Sequence, residues 1–333
     1  MIIGTMTKPM TKMSIALMLA LSTSSVYAAQ DNAYHHEAEV GSLDSSGEDD
    51  GRLNVNYRYY FKAVEQANKP YALSGFFNQG SMISAGYAST DFHDLYNISG
   101  QYVFDSNWFV GAGVNQLDFD NNGNYRGIDS YTRYDVNLGY FFTDHSALTL
   151  GYSTKSESYL DNATSDFYEI EYYDSEDTDV ISLTYEHFIP LQSTTGVFIT
   201  GEFHYIAEQN TYTASGTYID SLGQITPRDY KRSDDYDNYT LAVLANWYIN
   251  NAWSVGASYF RINIDGEINS RDIDYSTHYS PNETESTTSI NTRYFWHFSD
   301  VFSAKFSLEH YFDNGEYGND AETDFGIAIN ARF

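Results

Sequence analysis

The sequence predicts an all-β fold: a transmembrane antiparallel up-and-down β-barrel of about 14 strands, with roughly 12 to 16 compatible with the same pattern. Three observations carry that expectation. Apolar and polar residues alternate with period two through most of the chain, as in a strand with two unlike faces. Connections alternate between short turns and long acidic stretches, as in barrels that cross an outer membrane. All four tryptophans stand beside short turns on the apolar face, where an aromatic girdle meets the membrane interface.

The N-terminus reads as a targeting segment. Lys8 and Lys12 precede the apolar run Ile15 to Leu21, and Val26-Tyr27-Ala28 supplies the small residues of a cleavage site. This order predicts a signal peptide over 1–28, cut after Ala28. The apolar run is shorter than the roughly 20 residues of a spanning helix, which argues against an anchor. Residues 29–50 read as an acidic N-terminal leader, and 51–333 as the barrel.

The sequence has no cysteine, so no disulfide contributes. Once Lys8 and Lys12 leave, 46 acidic residues face 15 basic ones, a net charge of −31. Such a balance excludes nucleic acid as a partner, since that surface demands basic patches. The 32 Tyr, 21 Phe and 23 Gly are equally foreign to a disordered acidic chain.

Fourteen segments carry the alternation, at 51–62, 70–78, 81–90, 95–104, 107–119, 131–142, 146–156, 179–189, 196–208, 237–249, 252–264, 286–298, 301–312 and 323–333. In the last, Phe325, Ile327, Ile329, Ala331 and Phe333 share one face against Asp324, Gly326, Ala328, Asn330 and Arg332. In the first, Leu53, Val55, Tyr57, Tyr59 and Phe61 oppose Asn54, Asn56, Arg58, Tyr60 and Lys62. Short turns such as Asn250-Asn251-Ala252 interleave with long acidic connections. Residues 156–179 hold nine acidic side chains and no basic one.

A soluble β-sandwich alternates too, but it buries tryptophan in mid-strand. Here Trp108, Trp247, Trp253 and Trp296 all flank short turns on the apolar face. A three-residue turn at 250–252 would place Ile249 opposite Trp253 and Trp247 opposite Val255. In lipid an open sheet edge leaves N–H and C=O groups unpaired, so the first and last strands must meet.

Two stretches carry a family resemblance: Tyr59-Tyr60-Phe61-Lys62-Ala63-Val64, then Pro70-Tyr71-Ala72 through Phe76-Phe77-Asn78 to Ser81-Met82-Ile83-Ser84-Ala85-Gly86-Tyr87. With the signal peptide, the hairpin rhythm and the terminal Phe333, they resemble the general bacterial porins of marine gammaproteobacteria. The resemblance implies a water-filled channel in the bacterial outer membrane for small hydrophilic solutes and ions, with no cofactor and no catalytic residue. The wall would meet outer-membrane lipid and lipopolysaccharide, and Phe333 resembles the terminal signal read by the assembly machinery. Homotrimer and monomer both stay open.

In a barrel the face opposite the lipid lines the lumen. That places Arg58, Lys62, Arg133, Asp135, Glu186, Glu202, Arg293, Lys305, Glu309 and Arg332 inside. Once closed, the segments holding Arg293, Lys305, Arg332, Arg58 and Lys62 adjoin, with Glu309 the one acid among them. Glu186 and Glu202 stand roughly across. One reading is a basic wall facing an acidic one, which would orient dipolar solutes. The other is a set of solvated residues pairing along the wall, as Lys305 and Glu309 could. Both stay open.

Other candidates are weaker. Asp118, Asp120, Asn122, Asn124 and Asp129 follow a calcium-loop spacing, D-x-D-x-N-G-x5-D, and could wrap Ca2+. Arg126 inside the loop and the lack of flanking helices favour a polar hairpin tip instead. His35-His36 with Glu37 and Glu39 could bind a transition metal, though a two-His cluster in an acidic tail more often binds nothing. No G-x-S-x-G elbow occurs, and no serine opposes the outward His187 or His310, so no enzyme is expected. A substrate-specific channel, or a barrel whose long acidic loops bind a ligand or a surface, is the alternative. Asn210 to Tyr236 is the candidate for a loop folded into the lumen.

Overall fold

The computed structural model describes residues 33–46, 51–119, 130–165, 168–219, 224–273, 275–313 and 321–333. The expected signal peptide over 1–28 lies outside them. Fourteen strands form one closed antiparallel ring: β1 (Ala33–Ser45), β2 (Arg52–Glu65), β3 (Met82–Ser89), β4 (His93–Val103), β5 (Trp108–Phe119), β6 (Ser130–Thr143), β7 (Ser146–Ser165), β8 (Tyr168–Pro190), β9 (Gly196–Ile219), β10 (Ile225–Tyr248), β11 (Trp253–Arg271), then, past the short flap strand β12 (Ser276–Tyr279), β13 (Asn282–His297), β14 (Phe302–Asp313) and β15 (Glu322–Arg332). Each strand pairs with its sequence neighbours, β11 with β13 across the flap, and β1 closes on β15 from Glu37↔Arg332 to Ser45↔Asp324.

Closure satisfies the backbone, and the outer wall explains where the ring sits. Large apolar side chains stand bare all round it: Ile98 is 70 % exposed and Ile290 52 %. Such a continuous apolar band has no place in water and defines the lipid-facing belt. Trp247 pairs with Val255 across the β10–β11 turn, as the alternation predicts. The indoles of Trp247 and Trp253 donate to Thr194 and Thr292 at 3.0 and 2.9 Å, an apolar ring with a wet end at the interface. Tyr152 donates to Asp179 at 2.6 Å and Tyr205 to Asp237 at 2.5 Å, marking the other rim. From Tyr239 to Trp247 the strand runs about 27 Å, and at a tilt of about 40° that spans roughly 20 Å of height, within the ~25 Å apolar band.

Three expectations are corrected here. The stretch read as a leader contains β1, so 29–50 is not all tail. Its period is hard to see because Glu37, Glu39 and Gly41 alternate with Ala38, Val40 and Ser42, which offers only small apolar groups to the wall. Conversely, 70–78 is no strand. Tyr71–Leu73 forms a 3-10 turn and Ser74–Asn78 the short helix α1. Leu73, Phe76 and Phe77 have helical spacing, and burying all three together needs a helix rather than a pleat. These two changes cancel, so the count of 14 stands with a different first strand.

The third correction concerns the long loops. The described parts of 156–179 and 210–236 continue the strands, and β8, β9 and β10 run 23, 24 and 24 residues. About 10 tilted residues suffice to cross a bilayer, so these strands stand well out into the medium. Water on both faces removes the apolar alternation there, while the ladder stays intact from Ile225↔Ile219 downward.

Candidate functional site: the barrel lumen

The β2–β3 connection enters the lumen from the end that carries Phe333 and the tryptophan turns, the periplasmic side of an outer-membrane barrel. Asn68 and Gln79, at φ 59° and 46°, bend the chain in and out. Between them the segment crosses the barrel. The Tyr71 N–H donates to the Asn251 carbonyl at 2.9 Å, and Arg332 Nη2 donates to the Tyr71 carbonyl at 2.9 Å. Gln79 Nε2 reaches the Thr143 carbonyl on the far side at 2.8 Å. Leu73 packs with Phe188, Phe198 and Tyr248. Phe76 meets Phe198 edge-on at 5.1 Å and Phe77 meets Phe188 at 5.0 Å. Gly75 is required by a close approach, since a Cβ would lie 2.8 Å from the Tyr60 hydroxyl. The described core therefore sits at one end of the barrel, as an aromatic floor. Asn210 to Tyr236, expected as an inserted loop, belongs to β9 and β10 wherever it is described.

Above this floor lies a cavity of about 890 Å³. Asn54, Asn56, Asn97, Gln101 and Asn137 give it an amide-rich wall, and Glu37, Glu39, Arg58, Lys305 and Arg332 a charged one. The charged wall is a bonded cluster. Glu37, 9 % exposed, accepts from Arg332 Nε at 3.0 Å and Nη2 at 2.8 Å, with Arg58 at 3.6 Å and the Tyr60 hydroxyl at 3.2 Å. Lys305 donates to Glu39, and Asn330 Nδ2 to both carboxylates at 3.1 Å. β1 thus inserts two acids into the run of bases that sequence reasoning had left nearly unopposed.

The remaining candidates divide. Arg293 and Glu186 line the same cavity, and neither side chain has an ion pair or hydrogen bond among the described residues. Arg133 and Asp135 pair with each other at 3.3 Å on β6, and Glu202 lies 3.5 Å from His204 on β9. Glu309 accepts from Ser289 at 2.6 Å rather than binding Lys305. Lys62 stands at the floor, where its carbonyl accepts from Asn78. Sequence reasoning missed Glu37 and Glu39 as lumen groups, together with the whole floor; Tyr60 and Asn330 were on the inward faces it drew but not among the residues it singled out. The spacing of Leu73, Phe76 and Phe77 was the available signal for the floor.

Of the calcium-loop residues, 120–129 lie outside the described residues, and Asp118 accepts from Gln116 at 2.9 Å. No three His, Asp or Glu gather in a metal-holding group among the described residues. His35 Nδ1 donates to the Tyr60 carbonyl at 2.8 Å, and His36 stacks on Phe333 at 5.1 Å. Glu37 and Glu39 turn to the lumen, so His36 and the two acids do not converge. Ile290 stands opposite His310 in the ladder, as expected, and His310 Nδ1 meets Thr323 Oγ1 at 2.9 Å. The expectation that no serine opposes His187 is corrected: Ser146 stands directly across from it at the start of β7, because the tight turn before Ser146 sets the β7–β8 register, and the Ser146 hydroxyl is bonded to Thr143 Oγ1 at 2.9 Å.

One solved structure shares the fold, and others match more loosely. Outer membrane protein Omp33 of Acinetobacter baumannii matches over 91 % of this chain and 100 % of its own, at 14 % identity and TM-score 0.51. An OmpT loop-deletion mutant of Vibrio cholerae matches over 90 % and 98 %, at 11 % identity and TM-score 0.42. Ferric citrate transporter FecA matches over 85 % of this chain and 45 % of its own, at 12 % identity and TM-score 0.44. No curated protein matches the sequence. The family described as "Putative general bacterial porin" matches residues 10–272, and with its closed barrel the chain belongs to that family of the bacterial outer membrane.

Proposed function

We propose that this porin conducts small hydrophilic solutes and ions by passive diffusion, without catalysis, and that the 66–81 segment sets the width of its periplasmic mouth. The observation that carries the reading is the lumen itself: an amide- and charge-lined cavity of about 890 Å³ bounded by an apolar, lipid-facing wall. Reconstituted protein should make liposomes swell in small sugars and polyols with a sharp size limit. A bilayer that stays silent and liposomes that never swell would refute it. The strands of β8 to β10 that outrun the membrane favour a second reading, a surface that binds a ligand or another cell, and under it solute flux would be absent.

A further inference from the structure

The outer face of the β10–β11 extension divides by charge. Just above the lipid belt Asp237 stands opposite Asp265, and Asp235 opposite Glu267. Two outward rungs higher the sign reverses, and Lys231 stands opposite Arg271. Like charges set face to face weaken a ladder unless something neutralises them. On the inner face of the same strand Arg232 is held by Asp234 through hydrogen bonds of 2.8, 3.0 and 2.7 Å. Lys231 and Arg271 differ: neither side chain has an ion pair or hydrogen bond among the described residues. With the flap strand β12 they line a surface pocket of about 370 Å³. Ser276 pairs with Arg271 across the flap, and His278 with Asn269. His278 Nδ1 donates to the Asn269 side-chain oxygen at 2.9 Å, so the Asn269 amide keeps its N–H groups for another acceptor. Ser233, one outward rung below Lys231, adds a hydroxyl. No carboxylate lines this pocket, in a chain whose formal net charge is −29.

We propose that this pocket binds the sulfate or phosphate ester groups of an acidic polysaccharide that reaches the barrel from the medium. A guanidinium matches two oxyanion oxygens at once, and an ammonium adds a point charge beside it. The hydroxyl and amide donors suit the sugar hydroxyls that lie between esters. Position separates this ligand from a lipid headgroup. From Tyr239 to Lys231 the strand runs about 27 Å, roughly 20 Å of height at a tilt of about 40°. The carboxylates of Asp235, Asp237, Asp265 and Glu267 stand between the pocket and the belt, where they repel a membrane phosphate. A nucleic acid fits less well, since no aromatic ring lines the pocket for a base to stack on.

The inference goes beyond the channel and stands whether or not the lumen conducts. Full mature protein in detergent micelles is passed over immobilised dextran sulfate at low ionic strength, with dextran as the neutral surface of the same backbone. Dextran sulfate should retain it and dextran should not. Lys231→Gln and Arg271→Gln should each weaken retention about two- to fivefold, the range of an exposed ion pair, and the double variant roughly tenfold. Arg261→Gln, at an exposed base elsewhere on β11, should bind as wild type, and heat-modifiable mobility checks that each variant is folded. A double variant that binds like wild type, or a wild type that dextran sulfate fails to retain, would overturn the site. Displacement of the polymer by sodium sulfate beyond that by sodium chloride of equal ionic strength would overturn the polysaccharide in favour of a free anion. Equal retention on immobilised single-stranded DNA, lost in the same double variant, would overturn it in favour of polyanions at large. Liposome swelling by the double variant should match wild type, so failure of the site and failure of the channel read out separately.

Discussion

Glu37 is shared by two guanidinium groups, a tyrosine hydroxyl and an asparagine amide while only 9 % of its side chain is exposed. Arg332, at 6 %, gives the second Nη2 hydrogen to the Tyr71 carbonyl of the floor, while its buried Nη1 has no hydrogen-bond partner among the described residues. A buried pair of this kind is costly to half-remove, because the surviving charge keeps its desolvation without its partner. Glu37→Gln should therefore lower stability by about 3 kcal/mol, read as an earlier midpoint in urea titrations of heat-modifiable mobility. An unchanged midpoint would mean that lumen water already screens the pair. The closing residue is argued at the same scale. The Phe333 N–H donates to the His36 carbonyl at 3.0 Å, its carbonyl accepts from the His35 and His36 N–H groups, and its ring stacks on His36. Phe333→Asp puts a charge into that lipid-facing seam and should prevent assembly, so surface labelling of cells would find little barrel. Normal surface levels would show that the β1–β15 seam closes without it.

Among the elements, the strands that cross lipid were legible and the inserts were not. In β10, β13 and β15 lipid demands apolar side chains on one face and lumen water polar ones on the other, so period two survives in the sequence. The Ile290↔His310 and Trp247↔Val255 registers follow from turn lengths alone. β1 escaped because its lumen face carries Glu37 and Glu39, whose partners on β2, β14 and β15 are far away in sequence. The floor escaped because its burial is supplied by Phe188, Phe198 and Tyr248, which no local pattern announces. Shrinking the floor tests its role: Phe76→Ala with Phe77→Ala removes rings worth about 3–5 kcal/mol each when buried. Single-channel conductance should rise while the barrel stays assembled, and an unchanged conductance would place the narrowest point elsewhere. Beyond the membrane the β7–β8 extension sets Glu157 opposite Glu176. Burial pushes the Glu157 carboxyl up, Lys155 at 4.0 Å pulls it back, and Glu176 adds to the rise. Neither Glu157 oxygen accepts a hydrogen bond among the described residues. A carboxyl raised in the folded state binds protons more tightly than in the unfolded chain, so this extension loses stability as pH rises through the ordinary carboxylate value toward the raised one. Glu157→Gln should increase hydrogen-exchange protection of β7 and β8 at neutral pH. That gain should vanish in acid, where the native carboxyl is itself protonated; a gain that persists in acid would assign the effect to packing.

At the scale of the whole molecule, charge is distributed by height. The seam cluster deep in the lumen holds three cations against two carboxylates, with Arg293 beyond it. The extension above the membrane is acidic: Asp174, Glu176, Glu208 and Asp234 gather on the inner face of β8, β9 and β10 with Arg232 alone among them. On the outer face Asp237 stands directly opposite Asp265, and Asp235 opposite Glu267. Like charges placed face to face weaken a ladder, and they also project a strong negative field around the mouth. An entering ion meets that field first. At about 0.1 M salt the Debye length is ~10 Å, comparable to the radius of such a mouth, so the field reaches the axis and concentrates cations. At 1 M it shrinks to ~3 Å and the mouth is screened. Reversal potentials across a KCl gradient should therefore show mild cation preference at low salt that fades toward 1 M. Removing the deep positive charge with Arg58→Ala, Arg293→Ala and Lys305→Ala together should strengthen the preference, because Glu37 and Glu39 are then left with Arg332 alone. Neutralising the mouth with Asp174→Asn, Glu176→Gln, Glu208→Gln and Asp234→Asn should weaken it. Anion preference at every salt concentration would mean that the seam, not the mouth, governs the ion path. A triple seam variant with unchanged selectivity and conductance would place those side chains away from that path altogether.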